Sequence, residues 1–575
     1  VFLAELVRVR EVRGLYGAEL QLGTRLKSQL QVVGEDRRRR EAALSERAST
    51  DLSYLTEELI EAGFLRPLKS FQLVNLARLL ALPHGADFSV PGAGKTTVAL
   101  ANFALQRHRG IVDKLLVIGP IAAFEAWRVD SADSFEMAPR INVHTGPGAS
   151  DFTPRGILLT NYNRVAGDYE RIRNYVAGSP TQVVLDEAHR IKRGVAGVHG
   201  RAVLDLAYVA RRRDVLTGTP TPQGASDAVA IIQFLYPGQD RMILPANTYD
   251  ESSTRDPDVV ERTGEAIRPY FVRTRKSELD IPKPVWSVVK RPMRPVQQAI
   301  YNALLGRYRG ELSLPADSRR EFDRLGRIVM YLLEAASNPA LLVSGSDASD
   351  QHGFLHPPLD IRPGEALATL LGKYQKYERP WKYDFVVDEV TKAKRDNNKV
   401  LVWTTFVKNI RVLERELAAF NPAVIHGGVP SETSALPGRV TREMELDRFR
   451  NDDACSVLIA NPAAAGEGIS LHHWCHHAIY LDRTFSAGNF LQSQDRIHRL
   501  GLDKKVETRF TLLLSEGTID DVVDARLEDK VRALGELMDD PGLVQIALPS
   551  EDEDVVVLPA EVSDASQVYR HVSGR

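Results

Sequence analysis

Two stretches of the chain alternate short, wholly apolar runs with helical patterns. Between residues 85 and 235 the runs are Lys114–Pro120, Gly156–Thr160, Val183–Asp186 and Asp214–Thr219. The same rhythm returns between 398 and 515, in Lys399–Thr404, Ala423–Gly427, Ser456–Asn461 and Ala478–Arg483. Each run closes on glycine or polar residues, the pattern of strands covered on both faces in a parallel sheet. The stretch between them differs. Its periodicity predicts long helices over Pro295–Tyr308 and Arg319–Ala336, broken by loops near 248–257 and 343–362. Residues 1–65 read as helical and charged, with an amphipathic stretch at Leu55–Leu65. The run Arg37-Arg38-Arg39-Arg40 there reads as a solvated helix face in preference to a phosphate contact. From Ser550 the chain is acidic and reads as a loosely held tail. No repeat with a period of about 20–50 residues is visible.

Length and composition narrow the class without naming a chemistry. At 575 residues the chain exceeds one ordinary core, and 43% hydrophobic with 26% charged residues is the balance of a globular protein. No apolar run approaches the roughly 18 residues of a membrane span, and neither end has the pattern of a secretory signal. The first residue is Val1, which leaves open an N-terminus beyond it. Two cysteines, Cys455 and Cys475, argue against a disulfide framework and fit a reducing, cytoplasmic setting. A net charge of −2 neither announces nor excludes a nucleic-acid partner, since a basic cleft can be balanced by acidic surface elsewhere.

The chemistry is concentrated in a few segments. Ser89-Val-Pro-Gly92-Ala93-Gly94-Lys95-Thr96-Thr97 precedes the apolar helical run Val98–Leu105. Glycines let backbone N–H groups curl around phosphate oxygens, and the helix N-terminus adds a favourable dipole. In such a loop Lys95 bridges the β- and γ-phosphates of ATP and the Thr96 hydroxyl ligates magnesium. The strict pattern wants glycine where this chain has Ser89. Farther on, Val183-Val184-Leu185 runs into Asp186-Glu187-Ala188-His189, putting two carboxylates at the C-terminal end of a buried strand, where open α/β sheets bind ligands. Asp186 is placed to hold magnesium and Glu187 to orient the attacking water. In the second half, Arg496 and Arg499 are three apart. On a helix they share one face and can meet charge developing on a γ-phosphate.

With these motifs in this order, residues 66–530 resemble helicase superfamily two, and within it the SWI/SNF-type ATPases. The resemblance implies an α/β fold of two RecA-like P-loop NTPase lobes with parallel sheets, a helical insertion between them and a helical N-terminal extension. The expected boundaries are an extension over 1–65, lobe 1 over 66–235, a mainly helical insertion over 236–370, lobe 2 over 371–545 and an acidic tail over 546–575. Leu68-Lys69-Ser70-Phe71-Gln72 resembles the family's glutamine motif, which implies that Gln72 reads adenine. Pro120–Trp127 and Thr160-Asn161-Tyr162 resemble elements that line the nucleic-acid track. Thr217-Gly218-Thr219-Pro220 resembles the motif that couples the phosphate site to that track.

In the second lobe Gln492–Gly501 resembles the family's last motif, with Asp495 where glycine is usual and Leu502 where glutamine often sits. Ala464–Leu471 resembles the motif before it, whose Gly468 implies close approach to phosphate and whose Ser470 implies a strand contact. Thr404, Thr405 and Gly427 fall in two elements implied to touch the DNA strand. Arg268–Lys276, Gln298–Tyr301, Ser337-Asn338-Pro339 and Gly517–Asp520 resemble blocks of the SWI/SNF group in particular. His472–His477 has metal-binding residue types, but adjacent residues on one short segment cannot easily surround zinc, and a polar turn is the better reading.

The expected function is an ATP-dependent motor on double-stranded DNA, with ATP and magnesium as cofactors and no membrane association. Two alternatives stand beside it: a helicase on single-stranded DNA or RNA, and an ATP-switched subunit that binds a protein partner through 1–65 or 236–370. Compact length and the lack of chromatin-reading modules favour a bacterial or phage-related setting, with the protein near the nucleoid.

Overall fold

The computed structural model describes residues 23–45 and 52–537, apart from 147–151, 219–224, 251–255, 276–277, 310–318, 351–354, 431–437, 466–468 and scattered single positions, together with part of 568–572. The chain divides into two compact units, essentially 1–279 and 280 onward.

The first unit is built on a seven-stranded sheet, with all its pairings parallel. Its strands are β1 (Gly85–Asp87), β2 (Lys114–Ile118), β3 (Ile141–His144), β4 (Gly156–Thr160), β5 (Thr181–Asp186), β6 (Arg212–Leu216) and β7 (Phe271–Val272), in the order β3-β4-β2-β5-β6-β1-β7. β2 and β4 are buried along their whole length and β5 along all but its last residue, because helices cover both faces. That is why their sequences are apolar without alternation. The helix Lys95–His108 packs Val98, Leu100, Phe103 and Leu105 into this core.

The second unit holds a six-stranded parallel sheet of β8 (Val285–Arg291), β9 (Val400–Trp403), β10 (Ala423–Ile425), β11 (Val457–Ala460), β12 (His477–Tyr480) and β13 (Arg509–Ser515), in the order β10-β11-β9-β12-β13-β8. With β8 standing for β1, this repeats the order of the first six strands of the other sheet. The chain therefore contains one α/β plan twice.

The stretch 236–370 does contain the expected helices, Pro295–Tyr308 and Arg319–Ser337, but it also gives each sheet an edge strand. β7 pairs with β1, and β8 pairs with β13 over seven residues. The reading of Arg37–Arg40 as a solvated face needs correction. In the helix Thr24–Ser45, Arg37 and Arg38 are exposed, but Arg40 is buried. Its guanidinium donates to Gln239 Oε1 at 2.6 Å and lies over the Tyr236 ring. Asp36, one turn back, accepts from His84 at 3.1 Å. The acidic stretch Glu551–Asp554 lies outside the described residues, yet the chain's last part is not loose throughout. Val568 and Val572 are buried, and His571 Nε2 meets the Tyr301 hydroxyl at 2.7 Å.

Candidate active site

The loop between β1 and the helix Lys95–His108 is set by backbone geometry. Gly94 is the helix N-cap at φ 83°, a left-handed conformation that costs a residue with a Cβ, and a Cβ there would come 2.3 Å from Gln72 Nε2. Gly92 and Ala93 complete the turn. The first helical N–H groups thus face the loop mouth, and the helix dipole there favours an anion by about 1 kcal/mol. Lys95 Nζ donates to the Ser89 carbonyl at 2.9 Å, so the ammonium is held at the loop. Thr96 is half-buried in the first turn. Thr97 points elsewhere: it is buried and its hydroxyl donates to Asp130 Oδ2 at 2.9 Å. Asp130 also pairs with Arg66 at 2.9 Å.

Ser89, which departs from the strict pattern, is a strut. Its buried hydroxyl accepts from the Thr274 N–H at 2.9 Å and from Asn75 Nδ2 at 3.3 Å. Thr274 belongs to the block Arg268–Lys276, which runs beside the loop: Val90 N donates to Thr274 O at 3.1 Å, and Arg273 Nη1 to Phe88 O at 2.8 Å. A glycine at 89 would forfeit these ties. Burial pushes the Asp87 carboxyl above the usual carboxylate range, against the opposing pull of Lys95. Gln72 is buried too. Its Oε1 accepts from Lys69 N at 2.9 Å and its Nε2 donates to Ala93 O at 3.1 Å, so its amide braces the phosphate loop.

β6 lies between β1 and β5, so the segment after it stands between the loop and the acid pair. The Thr217 N–H donates to Asp87 O at 3.2 Å, and a Cβ on Gly218 would come within 2.8 Å of Pro91. Thr219 lies outside the described residues. Asp186 ends β5, and one of its carboxylate oxygens accepts the Trp127 indole N–H at 2.9 Å. Its own carbonyl accepts the Tyr162 hydroxyl at 2.8 Å. Glu187 follows at φ 53°, a left-handed backbone that non-glycine residues adopt at a cost of about 1–3 kcal/mol and that clusters at functional sites. The loop, Asp186 and Glu187 thus share the C-terminal edge of one sheet. The donor set (a lysine, a first-turn threonine and a strand-end aspartate) suits ATP with magnesium, where Thr96 and Asp186 would hold the metal.

The residues expected on the nucleic-acid track are held by local contacts. Pro120 is buried ahead of the short turn Ile121–Ala123. Thr160 is fully buried and donates to His144 O at 2.8 Å. Asn161 caps the helix Tyr162–Gly167 by accepting from Arg164 N at 2.8 Å. Trp127 and Tyr162, which lie in segments expected to line the track, both donate to Asp186.

In the second unit Asp482, which follows β12, collects four donors: Thr404 Oγ1 at 2.7 Å, Thr405 N at 2.6 Å, Ser337 Oγ at 3.1 Å and Asn409 Nδ2 at 3.1 Å. Thr404 is therefore internal, and Ser337-Asn338 ties the helix Arg319–Ser337 to this sheet. Asp482→Ala is expected to destabilise this unit by about 3 kcal/mol, because it strands buried donors, as chemical denaturation would measure. Gly427 lies half-buried in the turn after β10. The Ser470 hydroxyl meets His472 Nδ1 at 2.9 Å, and Gly468 lies outside the described residues.

The helical argument for the arginine pair needs correction. The helix Ala487–Gln494 ends before either residue, and both sit in the turns beyond it. Arg496 is buried and donates to Gln492 O at 2.8 Å and Ile469 O at 2.9 Å, binding the last two motifs to each other. Arg499 is half-buried, and its charge helps hold the His472 imidazole down at about 3, after burial and His473. His472–Trp474 form a turn and His477 begins β12, with His477 Nε2 on Thr511 Oγ1 at 2.9 Å.

The repeated plan raises the question of a second nucleotide site. After β8 the helix Pro295–Tyr308 starts where the phosphate helix starts in the other unit. Its first N–H groups are already taken: Val296 N and Gln297 N donate to the Glu378 carboxylate at 2.8 and 3.0 Å. A side-chain anion stands where a phosphate would bind.

Fold and site together define a two-unit P-loop NTPase of helicase type, with one complete nucleotide loop among the described residues. The model of the SNF2-related domain matches residues 89–340, and that of the helicase conserved C-terminal domain matches 381–501. The chain belongs to the SWI/SNF-type ATPases of helicase superfamily two. It is 22% identical, over 83% of its length, to a Drosophila melanogaster protein named as a SWI/SNF-related matrix-associated actin-dependent regulator of chromatin homolog. It is also 22% identical, over 86% of its length, to the Arabidopsis thaliana ATP-dependent DNA helicase DDM1. It spans 61% and 65% of those two relatives. The Sulfolobus solfataricus SWI2/SNF2 ATPase core, solved with double-stranded DNA, is 19% identical, with 84% of this chain and 96% of that one covered at a TM-score of 0.36. These relatives lend no support to a bacterial or phage-related setting. Among the described residues no helix is long and apolar enough to cross a membrane.

Proposed function

We propose that this chain is an ATP-driven motor that moves along double-stranded DNA. The observation that carries the reading is the shared sheet edge of the first unit, where Gly94, Lys95, Thr217, Asp186 and Glu187 converge. Lys95 holds phosphate oxygens, Glu187 orients the attacking water, and Arg499 of the second unit supplies positive charge as the γ-phosphate leaves. A magnesium ion on Thr96 and Asp186 would neutralise phosphate charge. Names among the relatives, such as ATP-dependent DNA helicase, support DNA as the track.

The test is ATP hydrolysis with duplex DNA, single-stranded DNA and RNA compared side by side. Duplex is expected to stimulate most, with little dependence on base sequence, because backbone contacts position without specifying. Duplex binding is expected to weaken by about a thousandfold between roughly 50 and 200 mM salt if some six phosphates are contacted. Equal stimulation by single strands would favour the helicase reading instead. Nucleotide-dependent capture of a protein partner with no stimulation by any nucleic acid would favour the switch.

A further inference from the structure

We infer that Trp127 and Tyr162 are positioning residues that carry the state of the nucleic-acid track to the hydrolytic acid pair. The inference rests on the motor reading and concerns how one face of that motor controls the other.

Both residues lie in segments that follow strands of the same sheet. Trp127 is in the helix Phe124–Ser134, after β2, and Tyr162 opens the helix Tyr162–Gly167, after β4. In the sheet order β4 and β2 are neighbours, and β5 follows β2. The two segments therefore flank the end of β5 from one side. Each ends on Asp186, but on a different atom. The fully buried Trp127 ring donates its N–H to the carboxylate at 2.9 Å, and the buried Tyr162 hydroxyl donates to the backbone carbonyl at 2.8 Å.

The two contacts have different consequences. The indole N–H restrains the rotation of the Asp186 carboxylate. A donor outside the metal's own ligand set orients a ligating carboxylate in this way. The phenol holds the peptide that joins Asp186 to Glu187, and Glu187 sits at φ 53°. A strained backbone of this kind persists only when its surroundings over-determine it, and the Tyr162 hydroxyl is one such restraint. A small shift of the helix Tyr162–Gly167 would thus turn the Glu187 carboxylate, while a shift of the helix Phe124–Ser134 would turn that of Asp186.

The bland alternative is that both rings merely fill the core. Burial alone would be served by Leu or Phe at either position, and neither would need a polar atom aimed at Asp186. Two independent donors on one residue, from two segments expected to meet DNA, make the arrangement directional.

The experiment compares Trp127→Phe and Tyr162→Phe with the parent protein. It measures turnover with and without saturating duplex, duplex affinity by anisotropy, the magnesium concentration at half-maximal rate, and melting temperature. Tyr162→Phe removes one oxygen and is expected to bind duplex within twofold of the parent, with its ratio of stimulated to unstimulated turnover falling about tenfold. Trp127→Phe is expected to raise the half-maximal magnesium concentration by about tenfold, the usual cost of losing such a partner. A variant whose stimulated and unstimulated rates fall in the same proportion, with a lowered melting temperature, would reduce the contact to packing and overturn the proposal. So would full stimulation in Tyr162→Phe. Should Trp127→Phe fail to fold, the Tyr162→Phe ratio decides alone. A parent protein that no duplex stimulates would sink the motor reading itself, an outcome visible before either variant is measured.

Discussion

Glu187→Gln is expected to bind ATP within a few-fold of the parent affinity and to hydrolyse it about a hundredfold or more slowly. The substitution keeps shape and volume and removes the negative charge that would orient and polarise the attacking water. Everything proposed to hold the ground state remains: the loop at Gly94, the Lys95 ammonium and the Asp186 carboxylate with its Trp127 partner. Glutamine is no easier to place at φ 53° than glutamate, so the backbone around 187 should be little changed. Lys95→Ala is the contrasting variant, with nucleotide affinity itself expected to fall, because in the proposed site Lys95 would meet phosphates before any bond changes. Binding of a fluorescent nucleotide and release of phosphate measure the two quantities separately. Near-parental turnover by Glu187→Gln would remove Glu187 from its role at the water.

Arg499→Ala is expected to spare ATP affinity within a few-fold and to cut duplex-stimulated hydrolysis by about a hundredfold or more, near the range of arginine fingers. The reason lies in how the chain is divided. Lys95, Thr96, Asp186 and Glu187 all belong to the first unit, and Arg499 belongs to the second. On the proposed function, a charge carried by the second unit would serve the hydrolytic step rather than ground-state binding, so its loss should fall on hydrolysis more than on ATP affinity. Arg496 behaves otherwise in this account. Its guanidinium is committed to the carbonyls of Gln492 and Ile469, so Arg496→Ala should loosen the loop that carries Ser470 and lower the melting temperature of the second unit. Loss of ATP binding and basal turnover in equal measure in Arg499→Ala would put that residue in ground-state binding, and undiminished stimulation would put it outside the site.

Much of this molecule was legible in its local pattern. β2, β4, β5, β9, β11 and β12 coincide with runs of apolar residues, because a strand buried on both faces has no polar side to show. The phosphate loop and the acid pair could be read for a related reason: their chemistry needs particular residue types at short spacing. The three-residue β1, Gly85-Ala86-Asp87, gives no such signal, although it carries the loop. The edge strand β8, Val285-Trp-Ser-Val-Val-Lys-Arg291, shows no polar–apolar alternation and lies inside a stretch expected to be helical, and its partner β13 begins more than two hundred residues later.

Tertiary structure alone decided which polar groups are spent internally. Thr160 and Thr404 look like surface hydroxyls from their motifs, yet each is buried on a partner from another segment, His144 and Asp482. Ser89 looks like a defect in the loop and proves to be its tie to Thr274 and Asn75. Arg496 and Arg499 are alike in sequence, and it is the fold that ties Arg496 to the carbonyls of Gln492 and Ile469, the latter 27 residues before it. Hydrophobic periodicity is a local quantity that reports which residues leave water. The partner of a buried hydrogen bond is fixed by which distant segments the fold brings within about 3 Å, and no local pattern encodes that.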